Sequence, residues 1–214
     1  MSSYNYNNVN IEYISHDCFR ISFKDTVVYI DPYKVRRTIN DGDLVICTHD
    51  HFDHCSPEDV KKVLKHDGCI VASINCKDKV SGLSNNVFLL RPGESIEVKG
   101  IKVSAVPAYN VNKPYHPKEY NGIGVVVEIG GVHIYHAGDT DLIPEMRELK
   151  NIDVALLPVS GKYVMNADEA CEAAKIINPK IAIPMHYGVI VGSRNDAEKF
   201  KECIKDLVSV VILG

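Results

Sequence analysis

Residues 48 to 55 read THDHFDHC, with three histidines and two aspartates in the six positions from His49 to His54, directly after the apolar run LVIC. Buried side chains of these types need partners, and each one left without costs roughly 1–3 kcal/mol. A divalent cation supplies such a partner. His49 and His51 are one residue apart, so on an extended or turning backbone both imidazoles can approach one ion from the same side. Asp53 and His54 fall on the following turn, where they could serve a second ion beside the first. The plain alternative, a polar loop with solvent-facing histidines, suits two histidines better than it suits this density.

Ligands need a rigid frame, and the flanking sequence reads as one. Short β-branched runs separated by turn residues predict strands at 19–23, 27–30, 44–47, 69–72, 87–90, 95–98 and 101–106, and again at 124–129, 132–136, 154–157, 181–184 and 208–213. Ser56 followed by Pro57, Glu58 and Asp59 is an N-cap with proline at the first helical position, and Val60, Val63 and Leu64 make its apolar stripe. A second helix is predicted over Ala167 to Ile177, stopped by Asn178-Pro179. A last helix carries Ala197, Phe200, Ile204 and Leu207 on one face. Many strands with interspersed helices predict a layered α/β fold.

Composition narrows the function classes. The 214 residues, 45% of them hydrophobic, can bury a substantial core, and we expect one domain over 1–214. A net charge of -4 and a pI of about 6.1 provide no basic field for nucleic acid or an anionic membrane. The polar start MSSYNYNNVN lacks a leader pattern, and no run approaches the roughly 18 apolar residues of a membrane span, so the cytoplasm is the default compartment. Seven cysteines without a CxxC pair predict mostly reduced core residues.

FRISFKDTVVYIDP and VVVEIGGVHIYHAGDT echo each other. Each is two apolar strands joined by a tight turn, Lys24-Asp25 or Gly130-Gly131, and each leads to an aspartate, Asp31 or Asp139. A pseudo-duplicated sheet delivering acids from equivalent strand ends would produce this pattern, although two hairpins can also coincide by chance.

THDHFDH resembles the HxHxDH signature of the metallo-β-lactamase superfamily, and the similarity extends over nearly the whole chain. Within it, SHDCFRI, VVYIDP and VPAYN resemble the branch of ascorbate-6-phosphate lactonase-like and N-acylphosphatidylethanolamine phospholipase-like hydrolases. The resemblance implies an αββα sandwich of two mixed β-sheets flanked by helices, with metals at the rim between the sheets. It implies that Asp31 orients the metal-ligand loop, that Asp139 bridges two metals, and that His186 completes the second. One departure stands out: where many relatives carry a third histidine for the first metal, this chain has Asn110, and His116 lies six residues on.

The resulting expectation is a metal-dependent hydrolase with two divalent ions and a bridging hydroxide at neutral pH. His49, His51 and His116 are assigned to the first ion, Asp53, His54 and His186 to the second, and Asp139 to both. Zinc suits the imidazole count, and manganese or iron would accept the same donors. Catalytic roles are expected for Asp53 at the second ion and for His16, as a substrate-contacting or proton-donating group or else a hydrogen-bonded histidine at a strand start. His136 is expected to support the site or pack in the core, Tyr163 and Met165 to line the substrate cleft or only their own loop with no role, Cys55 to be structural, His66 to lie near a helix C-terminus and His133 on a strand facing solvent. The expected partner is a small-molecule substrate, with no nucleic acid and no membrane span; homo-oligomerisation is compatible with this reading. Two rivals are a di-iron oxidoreductase, which usually has a carboxylate where this chain has His51, and a non-catalytic metal-binding module on the same fold.

Overall fold

The computed structural model describes residues 2–214. Two seven-stranded sheets run in chain order from edge to edge. The first comprises β1 (Ser3–Tyr6), β2 (Val9–Ser15), β3 (Cys18–Phe23), β4 (Thr26–Ile30), β5 (Gly42–Cys47), β6 (Leu64–Ser73) and β7 (Val87–Leu90). Helix α1 (Pro57–Val63) connects β5 to β6, and the short α2 (Lys77–Val80) lies between β6 and β7. The second comprises β8 (Ser95–Val98), β9 (Ile101–Pro107), β10 (Ile123–Ile129), β11 (Val132–His136), β12 (Val154–Pro158), β13 (Ile181–Met185) and β14 (Ser209–Val210), with α3 (Ala167–Ile177) and α4 (Arg194–Ile204) as crossovers.

Strand directions repeat between the sheets. Strands β1 to β4 are antiparallel and β4 to β7 parallel; β8 to β11 are antiparallel and β11 to β14 parallel. The echo in the sequence is therefore structural: its two hairpins are β3–β4 and β10–β11, the third and fourth strands of each sheet. Their tips meet, because a Cβ on Gly130, which has φ +59, would lie 2.7 Å from the Phe23 ring.

Burial explains the strand patterns. In β9, Ile101, Val103 and Ala105 face the core while Lys102 is exposed, the alternation of an antiparallel strand covered on one face. All five residues of β12 and of β13 are buried, as parallel strands covered on both faces require. The main core lies between the sheets and continues under α3 and α4, where Ala197, Phe200 and Ile204 are buried. A second cluster fills the outer face of the first sheet under α1 and α2. Fully burying a side chain such as Phe200 is worth roughly 1.5–3 kcal/mol.

Several expectations change. The polar N-terminus forms the β1–β2 hairpin, turned by Asn7 and Asn8 at φ 48 and 66, a conformation asparagine tolerates. The strand expected over 208–213 shrinks to β14, paired only with Ile181 and Ala182. Proline is the cause: Ile181 N–H already points to Asp153 of the β12 side, so position 184 should donate toward β14, and Pro184 has no N–H. Helix α4 stops at Ile204, leaving Leu207 exposed beyond its end. His66 lies on β6, three residues past the end of α1. Cys171 and Cys203 form a disulfide joining α3 to α4, while the other five cysteines are free and buried. Among the described residues no helix is long and apolar enough to cross a membrane.

Candidate metal centre

Strands β2, β4 and β5 run parallel to one another, as do β9, β11 and β13, so the segments after their C-terminal ends share one edge of each sheet. Those segments carry His16 and Asp17, then Asp31, then Thr48 to His54, and on the other sheet Asn110 to His116, Asp139 and His186. The halves are tied by the His186 N–H donating to the His16 carbonyl at 3.3 Å and the Ile123 N–H donating to the Thr48 carbonyl at 3.0 Å. His16, Asp31 and His186 adopt φ values of 53, 47 and 59. Left-handed backbone at such residues costs about 1–3 kcal/mol each and persists where surrounding structure enforces it.

Asp31 organises the ligand loop. It accepts from the Thr48 N–H at 2.8 Å and the Thr48 hydroxyl at 2.7 Å, and its Oδ2 is 2.7 Å from His54 Nδ1. This leaves His54 Nε2 facing the cluster. With the Thr48 hydroxyl hydrogen directed to Asp31, His49 Nδ1–H donates to Thr48 Oγ1 at 3.1 Å, so His49 Nε2 presents a lone pair. His116 Nδ1–H donates to Asn110 Oδ1 at 3.1 Å, with the same result for its Nε2. Those two Nε2 atoms lie 3.1 and 3.2 Å from His51 Nδ1. His51 Nδ1 carries at most one hydrogen, so without a cation at least one Nε2 lone pair faces a nitrogen that offers it no proton, a repulsive contact. A cation relieves that repulsion: at zinc–nitrogen bonds of about 2.0–2.1 Å, tetrahedral edges are about 3.3–3.4 Å, close to the observed spacing.

Asp139 adjoins this triad and a second group. Its Oδ2 is 3.3 Å from both His116 Nε2 and His186 Nε2, and its Oδ1 is 3.3 Å from His54 Nε2. Asp53 Oδ2 lies 3.7 Å from His54 Nε2 and 3.3 Å from His16 Nε2. All seven expected donors thus converge, together with His16, and Asn110 does not face the triad: its amide accepts from the His116 backbone N–H at 3.0 Å and donates to the Tyr163 carbonyl at 2.9 Å. Sequence reasoning missed Asp17, which is fully buried with Oδ2 3.7 Å from His54 Nε2, and Ser160, whose hydroxyl is 2.9 Å from His186 Nδ1. Asp17 follows β2 at the same sheet edge as Asp31, a signal readable only once β2 is recognised as a strand. His136 is buried and bonds the Asp17 carbonyl through Nε2 at 2.9 Å, a supporting position. Met165 is fully buried.

Among the described residues, the buried side-chain atoms without a hydrogen-bond partner are both nitrogens of His16, both carboxylate oxygens of Asp17, His54 Nε2 and Asp139 Oδ1. They belong to one cluster, and orphaned buried polar atoms of this density fit a bound ion. Electrostatics agree. Burial keeps His49 neutral, well below its ordinary range, and lowers His116 to about 4. Burial opposes charge on His54 and His186 as well, but Asp139 and Asp31 raise His54 well above its usual value, and Asp139 and Asp17 push His186 up to about 9. Burial would raise Asp139, yet His186 and His54 hold it far below the usual carboxylate range.

A pH dependence follows. His186, pushed up to about 9, holds a proton at neutral pH that ligation must expel, and His54 is shifted in the same direction, so metal affinity rises with pH through this range. Calorimetric metal titrations at pH 7 in buffers of different ionisation enthalpy are expected to show net proton release on binding; a buffer-independent heat would contradict it.

A family model described as a beta-lactamase superfamily domain matches residues 10–186. The chain is 35% identical over 223 residues to a UPF0173 metal-dependent hydrolase of Thermoplasma acidophilum, covering 96% of this chain and 95% of that protein. Among solved structures it is similar to a protein described as a metal-dependent hydrolase from Parabacteroides distasonis, with a TM-score of 0.84 and 30% identity over 98% of this chain and 96% of that one. It shares its fold with Igni18, a metallo hydrolase from Ignicoccus hospitalis, at a TM-score of 0.80 and 24% identity over 95% of this chain and 94% of that one.

Proposed function

Since the chain belongs to the metallo-β-lactamase superfamily, we propose that it is a metal-dependent hydrolase of a small-molecule substrate, acting as one domain with two divalent ions. The observation that carries this reading is the sharing of Asp139 between two donor groups, with Oδ2 at 3.3 Å from His116 and Oδ1 at 3.3 Å from His54. His49, His51 and His116 would hold the first ion, His54, His186 and Asp53 the second, and Asp139 both. When bound, such a pair activates water near neutral pH and polarises the bond to be cleaved. Zinc is the favoured occupant of the three-imidazole group.

The chain's own residues do the positioning. Asp31 fixes the His54 ring and the start of the ligand loop, Thr48 sets the His49 tautomer, Asn110 sets that of His116, and the Ser160 hydroxyl meets His186 Nδ1. His16 packs its ring 4.0 Å from that of His186 and approaches Asp53, a location suited to steadying the second ion's donors. The loops that carry the donors also expose Phe52, Val111, Tyr115 and Ile190. These support a substrate with an apolar portion, the bond cleaved being a phosphodiester, a lactone or a related ester or amide on the expectation from the sequence.

Metal analysis followed by chromogenic phosphodiester, lactone and thioester substrates tests the reading. We expect close to two transition-metal ions per chain and hydrolysis of at least one class, lost on chelation and restored by zinc. A folded sample unable to take up metal, or a loaded one that cleaves none of the three, would count against it.

A further inference from the structure

The least explained group in the cluster is Asp17. It is fully buried and neither carboxylate oxygen has a hydrogen-bond partner, while its backbone carbonyl meets His136 Nε2 at 2.9 Å. A buried carboxylate left this way is among the costliest arrangements a protein can hold, and it persists where something else compensates it. The side chain is aimed at the second donor group: Oδ2 is 3.7 Å from His54 Nε2, as far as Asp53 Oδ2 is from the same nitrogen. One ligand atom each from His16, Asp17, His54 and His186 lie within 4.8 Å of one another, and all four residues are buried.

We propose that Asp17 is a ligand of the second ion. This rests on the two-ion reading above and extends it. The first donor group offers three imidazoles and one shared carboxylate. The second then offers His54 and His186, with His16 beside them, and three carboxylates, Asp17, Asp53 and the shared Asp139. Oxygen donors suit harder cations such as manganese, whereas imidazole suits zinc. The two positions therefore differ in preference, the first selecting zinc and the second accepting manganese more readily, and Asp17 is the residue that sets the difference.

The test is Asp17→Asn, which keeps shape and burial while removing the charge. Protein stripped with chelator is given one equivalent of zinc and then titrated with manganese, followed by electron paramagnetic resonance and metal analysis. We expect wild type to bind close to one manganese per chain after zinc, and the variant to bind it at least tenfold more weakly while keeping the first zinc. Thermal melts separate ligation from a structural role. Without metal, Asp17→Asn should melt near the wild-type temperature, because the amide keeps the shape and burial of the side chain, and its metal-induced rise in melting temperature should shrink. Asp17→Ala should behave alike in metal binding. Two ions bound with unchanged affinity in the variants would overturn the assignment to Asp17 while leaving the two-ion reading intact. A wild-type protein that takes only one ion would overturn both. A variant destabilised without metal but with an unchanged metal-induced rise would show that Asp17 is structural.

Discussion

Replacing Asp139 with alanine is expected to lower kcat/KM by ~10³-fold or more and to remove at least one ion, with the chain still folded. The magnitude follows from position. No other carboxylate among the described residues lies within 3.3 Å of His54, His116 and His186 together. Loss of an outer support would weaken one ligand, but loss of this group withdraws a donor from both proposed ions. The fold should survive because the charges that Asp139 balances can relax: without it, Asp31 still pairs with His54, Asp17 still faces His186, and either imidazole can give up its proton. Circular dichroism and melting temperature would check the fold, and metal analysis the stoichiometry. Near-normal turnover in Asp139→Ala would show that the shared carboxylate is not part of the reaction.

The second large effect separates two residues on one loop. His116→Ala should lose the first ion or bind it more than 100-fold more weakly, because an inner nitrogen disappears; Asn110→Ala should lose roughly 10–100-fold, the range for partners that only orient a ligand. The structure gives the reason for the ranking. His116 Nε2 lies 3.2 Å from His51 Nδ1, while Asn110 Oδ1 sits behind the ring at 3.1 Å from His116 Nδ1. Asn110 also accepts from the His116 backbone N–H, so the loop itself is folded around the asparagine. Metal affinity by competition with a chromophoric chelator measures both. The opposite order, with Asn110→Ala losing the ion and His116→Ala keeping it, would reverse the roles.

Much of this centre was legible because ligand spacing and strand ends are local signals. His49, His51, Asp53 and His54 follow one apolar strand, and Asp31 and Asp139 end equivalent hairpins; resemblance supplied the remaining order. What escaped the sequence depends on pairing across distance. Asp17 belongs to the cluster only because β2 runs parallel to β4, and β2 was hidden in a polar segment whose Asn7-Asn8 turn carries the information. Ser160 gains its role from His186, 26 residues away. The Cys171–Cys203 bridge depends on α3 and α4 lying side by side, which odd cysteine counting cannot show. The shortened β14 was readable in principle, since Pro184 is visible in the sequence, but only after the direction of each N–H in β13 is known.

The matching strand directions of the two sheets have a consequence for how the molecule holds together. On the proposed assignment, the first ion takes His49 and His51 from one half and His116 from the other, and the second takes Asp53 and His54 from one and His186 from the other, with Asp139 common to both. Neither half owns a complete set, so the ions act as a clasp across the seam. Their binding free energy is spent on keeping the halves closed rather than on the interior of either sheet. Stripping the ions should therefore loosen the seam first, and amide exchange should quicken at the His186-to-His16 and Ile123-to-Thr48 bridges before it does in the middle of β5 or β12.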